Sequence, residues 1–237
     1  MKHGDVFDDL GSGPAIIFVH GFVSTRKVFG YQLVELSRDR RVIAIDMPGC
    51  GGTSWDPKVH WFDQAVERVV DVAEQAGVEQ PLLVGWSLGG SVVTAAAARI
   101  PESRTVLVGS RLGKRPEETR ERILASIMRD YPLYASKLIA LMCHNVSAET
   151  QAWLLGHAIN TPVLVAAKAL MSQPHLDPVR IAASIVGGNE GVVEVEHVDP
   201  EVQAVTTTFE NSGHLPFLEE RDRFNELIRE LSSEPVV

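Results

Sequence analysis

The chain has 237 residues, of which 45% are hydrophobic, and a formal net charge of −9. That length suits one large core, or one core carrying an insertion. A pI near 5.4 argues against a general nucleic-acid binder, which needs a basic surface. Cys50 and Cys143 lie far apart and neither belongs to a C-x-x-C pair, so neither a disulfide framework nor a metal site is expected. The opening MKHGDVFDDLGSGP has no apolar leader-like run, and no later run approaches the roughly eighteen apolar residues of a membrane span. A cytoplasmic protein with no membrane partner is the expectation.

In chain order, Ala15 to Val19 is a short apolar run entered from Gly11-Ser12-Gly13-Pro14 and left at His20-Gly21-Phe22, the pattern of a strand buried on both faces. In an acyl-transfer site the loop after such a strand supplies a backbone donor to the oxyanion. The Phe22 N–H is the candidate, and the His20 side chain is expected to be structural. Thr25 to Leu36 reads as a helix with Val28, Phe29, Leu33 and Leu36 on one face. Arg41 to Ile45 is the next strand, running into a turn from Asp46 to Ser54, where Asp46 is expected to fix the loop by accepting its N–H groups. Trp61 to Gln75 is helical, ending before Gly77.

The stretch Leu82-Leu83-Val84-Gly85-Trp86-Ser87-Leu88-Gly89-Gly90 then organises the chain: strand, sharp turn, helix. A serine at such a turn needs neighbours with almost no side chain, which Gly85 and Gly89 supply. The turn exposes the Ser87 hydroxyl and points the Leu88 N–H, at a helix N-terminus, into the space where an oxyanion would form. Trp86 beside it suits either an acyl pocket or the core. Ser91 to Arg99 follows as a close-packing helix and Thr105 to Val108 as another buried strand, so the βα alternation predicts a parallel sheet with its ligand site beyond the strands' carboxyl ends.

From about Leu112 to Asp177 the pattern is helical, with no strand. This divides the chain into a core of residues 1–111 and 178–237 and an insertion of residues 112–177 that would cover the serine as a lid. Its first part is rich in Arg and Lys, and such a patch fits an anionic substrate or partner as well as a solvated helix face. Ile181 to Val186 returns to strand. Glu190 stands at its end as the carboxylate that would orient a histidine, with Asp199 second. Val202 to Phe209 alternates like a strand and gives way to Asn211-Ser212-Gly213-His214-Leu215-Pro216, where His214 is placed to act as general base. Phe224 to Leu231 closes the chain as an amphipathic helix.

The Gly-Trp-Ser-Leu-Gly-Gly stretch, His20-Gly21 and Gly213-His214, in the order Ser87, Glu190, His214, resemble the α/β-hydrolase superfamily over nearly the whole chain, and most of all the pimeloyl-ACP methyl ester esterases of biotin synthesis. The resemblance implies a mostly parallel sheet with helices on both faces and a helical lid inserted before the penultimate strand. It also implies a serine carboxylesterase without metal or organic cofactor. Lid arginines, with Arg111, Arg115, Arg120 and Arg122 as candidates, would bind the phosphate of an acyl-carrier-protein arm. Glu190 stands where the family most often has Asp. A hydrolase of other small esters, lactones or carbon–carbon bonds with the same triad remains an alternative, as does a weakly catalytic ligand-sensing protein.

Overall fold

A computed structural model describes residues 7–189 and 200–233. Seven strands form one sheet in the order β1-β3-β2-β4-β5-β6-β7. β2 (Ala15–Val19), β3 (Arg41–Ile45), β4 (Leu82–Trp86), β5 (Arg104–Val108), β6 (Ile181–Gly187) and β7 (Thr206–Phe209) run parallel. β1 (Phe7–Gly11) is an antiparallel edge paired to β3, Phe7 opposite Ile45. Its FDDLG sequence has no apolar run, because only Phe7 and Asp8 are even half-buried and the rest of the strand is exposed.

Alternation along each strand divides the core in two. Ile16 and Phe18 of β2 face one layer with Phe29, Phe217 and Phe224, while Ile17 and Val19 face the other with Trp61, Phe62 and Val92. α1 (Gly30–Leu36) and α10 (Arg221–Ser233) pack together in the first layer, joined through α9 (Pro216–Glu219); α2 (Trp61–Gln75) and α3 (Leu88–Ala97) form the second. Buried Gln32 ties the first layer, donating to the Phe217 carbonyl at 2.9 Å and to Asn225 Oδ1 at 3.0 Å. After β3 the chain crosses to the far side of β2, so the carboxyl ends of β2 and β4 border the point where strand order reverses. Parallel sheets place ligands at that crevice.

Between β5 and β6 come four helices: α4 (Glu117–Arg129), α5 (Tyr131–Met142), α6 (Ala148–Asn160) and α7 (Val163–Ser172). α5 packs on α6, α4 on α7, and α7 reaches down onto α2. Asp130 caps α5 by accepting the Leu133 N–H at 3.0 Å, and Ser147 caps α6 through the Thr150 N–H at 3.1 Å. Among the described residues no single helix is long and apolar enough to cross a membrane.

Three expectations are corrected. The helix expected over Thr25 to Leu36 is a short 3-10 turn, Arg26–Phe29, followed by α1. Asp46 accepts no N–H from its own turn; its buried carboxylate takes the Arg26 N–H at 2.7 Å, one of the orphan donors at a helix start, and pairs with the Arg26 guanidinium. The strand expected over Val202 to Phe209 begins only at Thr206. Residues Pro200–Ala204 form the short helix α8, because proline suits a first helical turn and Val202 alone needs burial.

Phe29 is fully buried with ring centroids 4.8 Å from Phe18 and 5.1 Å from Phe217, so it joins β2 to the segment just after His214. Phe29→Ala should lower unfolding free energy in urea by about 3–5 kcal/mol; a loss under about 1 kcal/mol would mean that the layer collapses to fill the gap.

Candidate active site

β4 delivers Ser87 into the turn with φ 54° and ψ −116°, a backbone state that costs an L-residue on the order of 1–3 kcal/mol. The turn closes only because its flanks carry no side chains. A Cβ on Gly85 would stand 2.4 Å from the Gly89 carbonyl oxygen, and one on Gly89 would stand 2.3 Å from that of Val19. α3 therefore starts in backbone contact with both β4 and β2. The Ser87 N–H donates to the Val108 carbonyl at 2.8 Å, and Leu88 occupies the first position of α3, where N–H groups have no intrahelical acceptor.

Opposite the serine lies the loop after β2. A Cβ on Gly21 would be 3.2 Å from Ser87 Cβ and 2.9 Å from the Trp86 ring, so this loop presses directly on the turn. Fully buried His20 holds its shape. The Met47 N–H donates to His20 Nε2 at 3.0 Å, which leaves the proton on Nδ1, 2.8 Å from the Gly21 carbonyl. That carbonyl belongs to the same planar trans peptide as the Phe22 N–H, so pulling the oxygen one way aims the N–H the other. Val23 follows at φ 49°, a left-handed conformation that a β-branched residue resists. Both edges of the site thus store strain. Burial holds His20 below the usual imidazole range, against the raising pull of Asp46, whose Oδ1 is 3.8 Å from Nε2.

His214 sits in the loop between β7 and α9, 1% exposed. Its main chain is fixed from both sides: its N–H donates to the Met142 carbonyl at 2.8 Å, and its carbonyl accepts the Trp86 indole N–H at 2.9 Å. Gly213 N–H is held by Glu219 Oε2 at 2.6 Å. A Cβ on Gly187 would lie 1.9 Å from the Gly213 carbonyl, so the end of β6 abuts the histidine loop. Asn189 N–H donates to the Ser212 carbonyl at 3.0 Å. Glu190 and Asp199 lie outside the described residues.

Ser87, Leu88, Phe22, Trp86 and His214 line one cavity of about 80 Å³. Arg111 and Arg115, on the segment between β5 and α4, line it as well. The other two candidate arginines, Arg120 and Arg122, are not among its lining residues. Arg120 is buried on α4 with its guanidinium turned towards the Met171 carbonyl, 3.5 Å away, and Arg122 lies on the exposed side of that helix while Ile123 faces the cavity. Trp86 is both wall and core, only 1% exposed. The sequence reading missed the walls that the four helices supply. Tyr134, Leu138 and Met142 recur every four residues along α5, a helical stripe that points to one shared face, and Gln173 closes the floor after α7. Burial pushes the Tyr134 phenol up to about 12, with Arg115 opposing it. Among the described residues no group of three or more His, Cys, Asp and Glu gathers as metal ligands do.

A serine on a strand-to-helix turn at the crevice of a parallel sheet, sharing a cavity with a late histidine, defines an esterase-like α/β hydrolase in architecture. Residues 16–227 match the model of the alpha/beta hydrolase family, and the chain belongs to that family. It is 25% identical over 259 residues to the AB hydrolase superfamily protein YisY of Bacillus subtilis, covering 98% of this chain and 97% of that one. It is 22% identical to the pimeloyl-[acyl-carrier protein] methyl ester esterase of Vibrio campbellii, covering 96% and 98%. The solved esterase EaEST from Exiguobacterium antarcticum superposes with a TM-score of 0.82 at 18% identity, over 96% of this chain and 95% of that one.

The buried neutral His20 makes stability depend on pH. Unfolding free energy should be level above about pH 6.5, then fall as pH drops, because the unfolded chain takes up a proton that folded His20 resists. One such residue contributes at most about 1.4 kcal/mol per pH unit. His20→Asn should be less stable at neutral pH yet show a shallower decline in urea titrations below about pH 6.5. An unchanged slope would assign it elsewhere, His157 being, among the described residues, the other imidazole that burial holds down.

Proposed function

We propose that this protein hydrolyses carboxylic esters through an acyl-enzyme on Ser87, with His214 as general base and acid and Glu190 as the carboxylate that orients His214. The observation that carries this reading is the Ser87 turn: a serine held at positive φ, in one cavity with His214, with the Gly21 loop packed onto its Cβ. His214 takes the Ser87 proton as the oxygen attacks the ester carbonyl, and the Phe22 and Leu88 N–H groups stabilise the oxyanion. The intermediate collapses, the alcohol leaves with the proton returned by His214, and water, deprotonated by the same base, releases the acid. Residues 112–177 act as a lid over the core formed by residues 1–111 and 178–237.

For the natural substrate, we propose the methyl ester of pimeloyl-ACP in biotin synthesis, a cytoplasmic reaction with acyl carrier protein as the partner. The near full-length likeness to esterases named for that reaction supports it, as does the Gly85-to-Gly90 stretch. The small cavity favours a second reading, hydrolysis of a short free ester.

Methanol release from pimeloyl-ACP methyl ester, run beside a short-chain aryl ester with Ser87→Ala as the blank, separates the two. Either reading expects Ser87→Ala to lose about a thousandfold or more in kcat/KM while still folding. Strong preference for the carrier-bound ester supports the biotin reading; turnover of the aryl ester alone supports the short-ester one. Near wild-type rates in Ser87→Ala would refute the serine mechanism.

A further inference from the structure

His214 belongs to a stretch that is neither helix nor strand, residues 210–215 between β7 and α9. Such a stretch has no ladder of its own to order it, so the partners of its N–H groups decide where its side chains are held. From Asn211 to His214 these partners are chiefly two adjacent carboxylates and the carbonyl that ends α5. Glu220 Oε2 accepts the Asn211 N–H at 3.0 Å and the Ser212 hydroxyl at 2.8 Å. Glu219 Oε2 accepts the Gly213 N–H at 2.6 Å, and the Met142 carbonyl accepts that of His214 at 2.8 Å.

The two carboxylates differ in reach. Glu220 keeps to its own end of the chain, pairing also with Arg223 on α10. Glu219, half-buried at the end of α9, turns its second oxygen to the turn between α5 and α6, where Oε1 accepts the His144 N–H at 2.7 Å and the Asn145 N–H at 2.8 Å. The two segments also meet backbone to backbone: a Cβ on Gly213 would stand 2.7 Å from the Met142 carbonyl oxygen and 3.2 Å from the His144 nitrogen. His214 is thus gripped between two parts of the molecule. Its carbonyl is held by the Trp86 indole of β4, one residue from the nucleophile, and its N–H by the last residue of α5, the helix that walls the cavity with Tyr134, Leu138 and Met142. A single carboxylate taking three N–H groups ties those parts together, through charge-assisted bonds that are stronger than neutral ones. The tolerance at a general base is narrow. The imidazole must lie within about 2.6–3.2 Å of the proton's heavy atom, and a misplacement of about 1 Å can cost a hundredfold in rate.

We propose that Glu219 is a positioning residue for His214. Its carboxylate fastens the histidine loop to the α5–α6 turn, so the four-helix segment sets the place of the base as well as walling the cavity. This rests on the serine-esterase reading, and it gives Glu219 no contact with substrate.

Steady-state hydrolysis of 4-nitrophenyl butyrate by Glu219→Ala, Glu219→Gln and Asp130→Ala tests it, each variant assayed well below its melting temperature as read by circular dichroism. Asp130 caps α5 at the opposite end from Met142, so its loss weakens the helix without releasing Gly213. Glu219→Ala should lower kcat by about tenfold to a hundredfold while KM stays within about twofold. Glu219→Gln, which keeps one accepting oxygen, should recover part of that loss. Asp130→Ala should melt lower yet keep kcat within about twofold of wild type. A folded Glu219→Ala with kcat within about twofold of wild type, beside turnover that depends on Ser87, would overturn the proposal and leave the esterase reading standing. A loss of kcat in Asp130→Ala equal to that in Glu219→Ala would also overturn it, because helix stability alone would then be the cause. Should Glu219→Ala not fold, the same criteria apply to Glu219→Gln. Absence of Ser87-dependent turnover would overturn both the proposal and the reading beneath it.

Discussion

At Ser87 the chain passes from β4 into α3 through a conformation that an L-residue resists, and the surrounding backbone is packed too tightly for any side chain to relieve it. Gly85 and Gly89 touch backbone where a methyl group would collide, and Gly21 does the same against the Trp86 ring and Ser87 Cβ. The sheet supplies the counterforce. β2 and β4 are fully buried neighbours in register, Ile16 beside Leu82 and Val19 beside Gly85, so neither strand end can move without opening both hydrophobic layers. A few kcal/mol of local strain is sustained by a core whose burial is worth far more.

From that contact the rest of the site is placed in succession. Trp86, one residue before the serine, reaches through its indole N–H to the His214 carbonyl, so the strand that positions the hydroxyl also positions the imidazole's main chain. His20 fixes the peptide opposite, and the Asp46–Arg26 pair beneath it anchors the start of the 3-10 turn. The four helices between β5 and β6 enclose the space from the other side. α7 leans on α2 of the core, and the hydrogen bonds from Gln173 tie it to the arginine-bearing segment. The same architecture brings Arg111 and Arg115 to the wall of the hollow that Ser87 and His214 share.

Much of this was legible in the sequence. The bounds of β2 and β3 could be read to the residue, because uninterrupted apolar runs between Gly, Pro and charged residues leave a buried strand little freedom. The Ser87 turn was legible because glycine spacing reports backbone crowding directly. Other features were not. β1 has no period, since none of its side chains is fully buried on either face of the sheet. Val202 could be read as strand or helix, and Pro200 decided it. Of the four candidate arginines, Arg111 and Arg115 precede α4 and line the cavity while Arg120 and Arg122 lie on α4 and do not, a difference that charge alone does not reveal. The bond from His20 to its neighbour's carbonyl depends on a tautomer set by Met47, 27 residues away, and nothing local in the chain encodes that.

The central claim is that the strained turn makes Ser87 a nucleophile. Its most direct measurement is intact-mass analysis of the protein after brief exposure to a fluorophosphonate, followed by peptide mapping. The account predicts one adduct per chain, on the peptide containing Ser87, and none in Ser87→Ala. An unmodified chain, or an adduct elsewhere that persists in Ser87→Ala, would contradict it and return the cavity to a binding role.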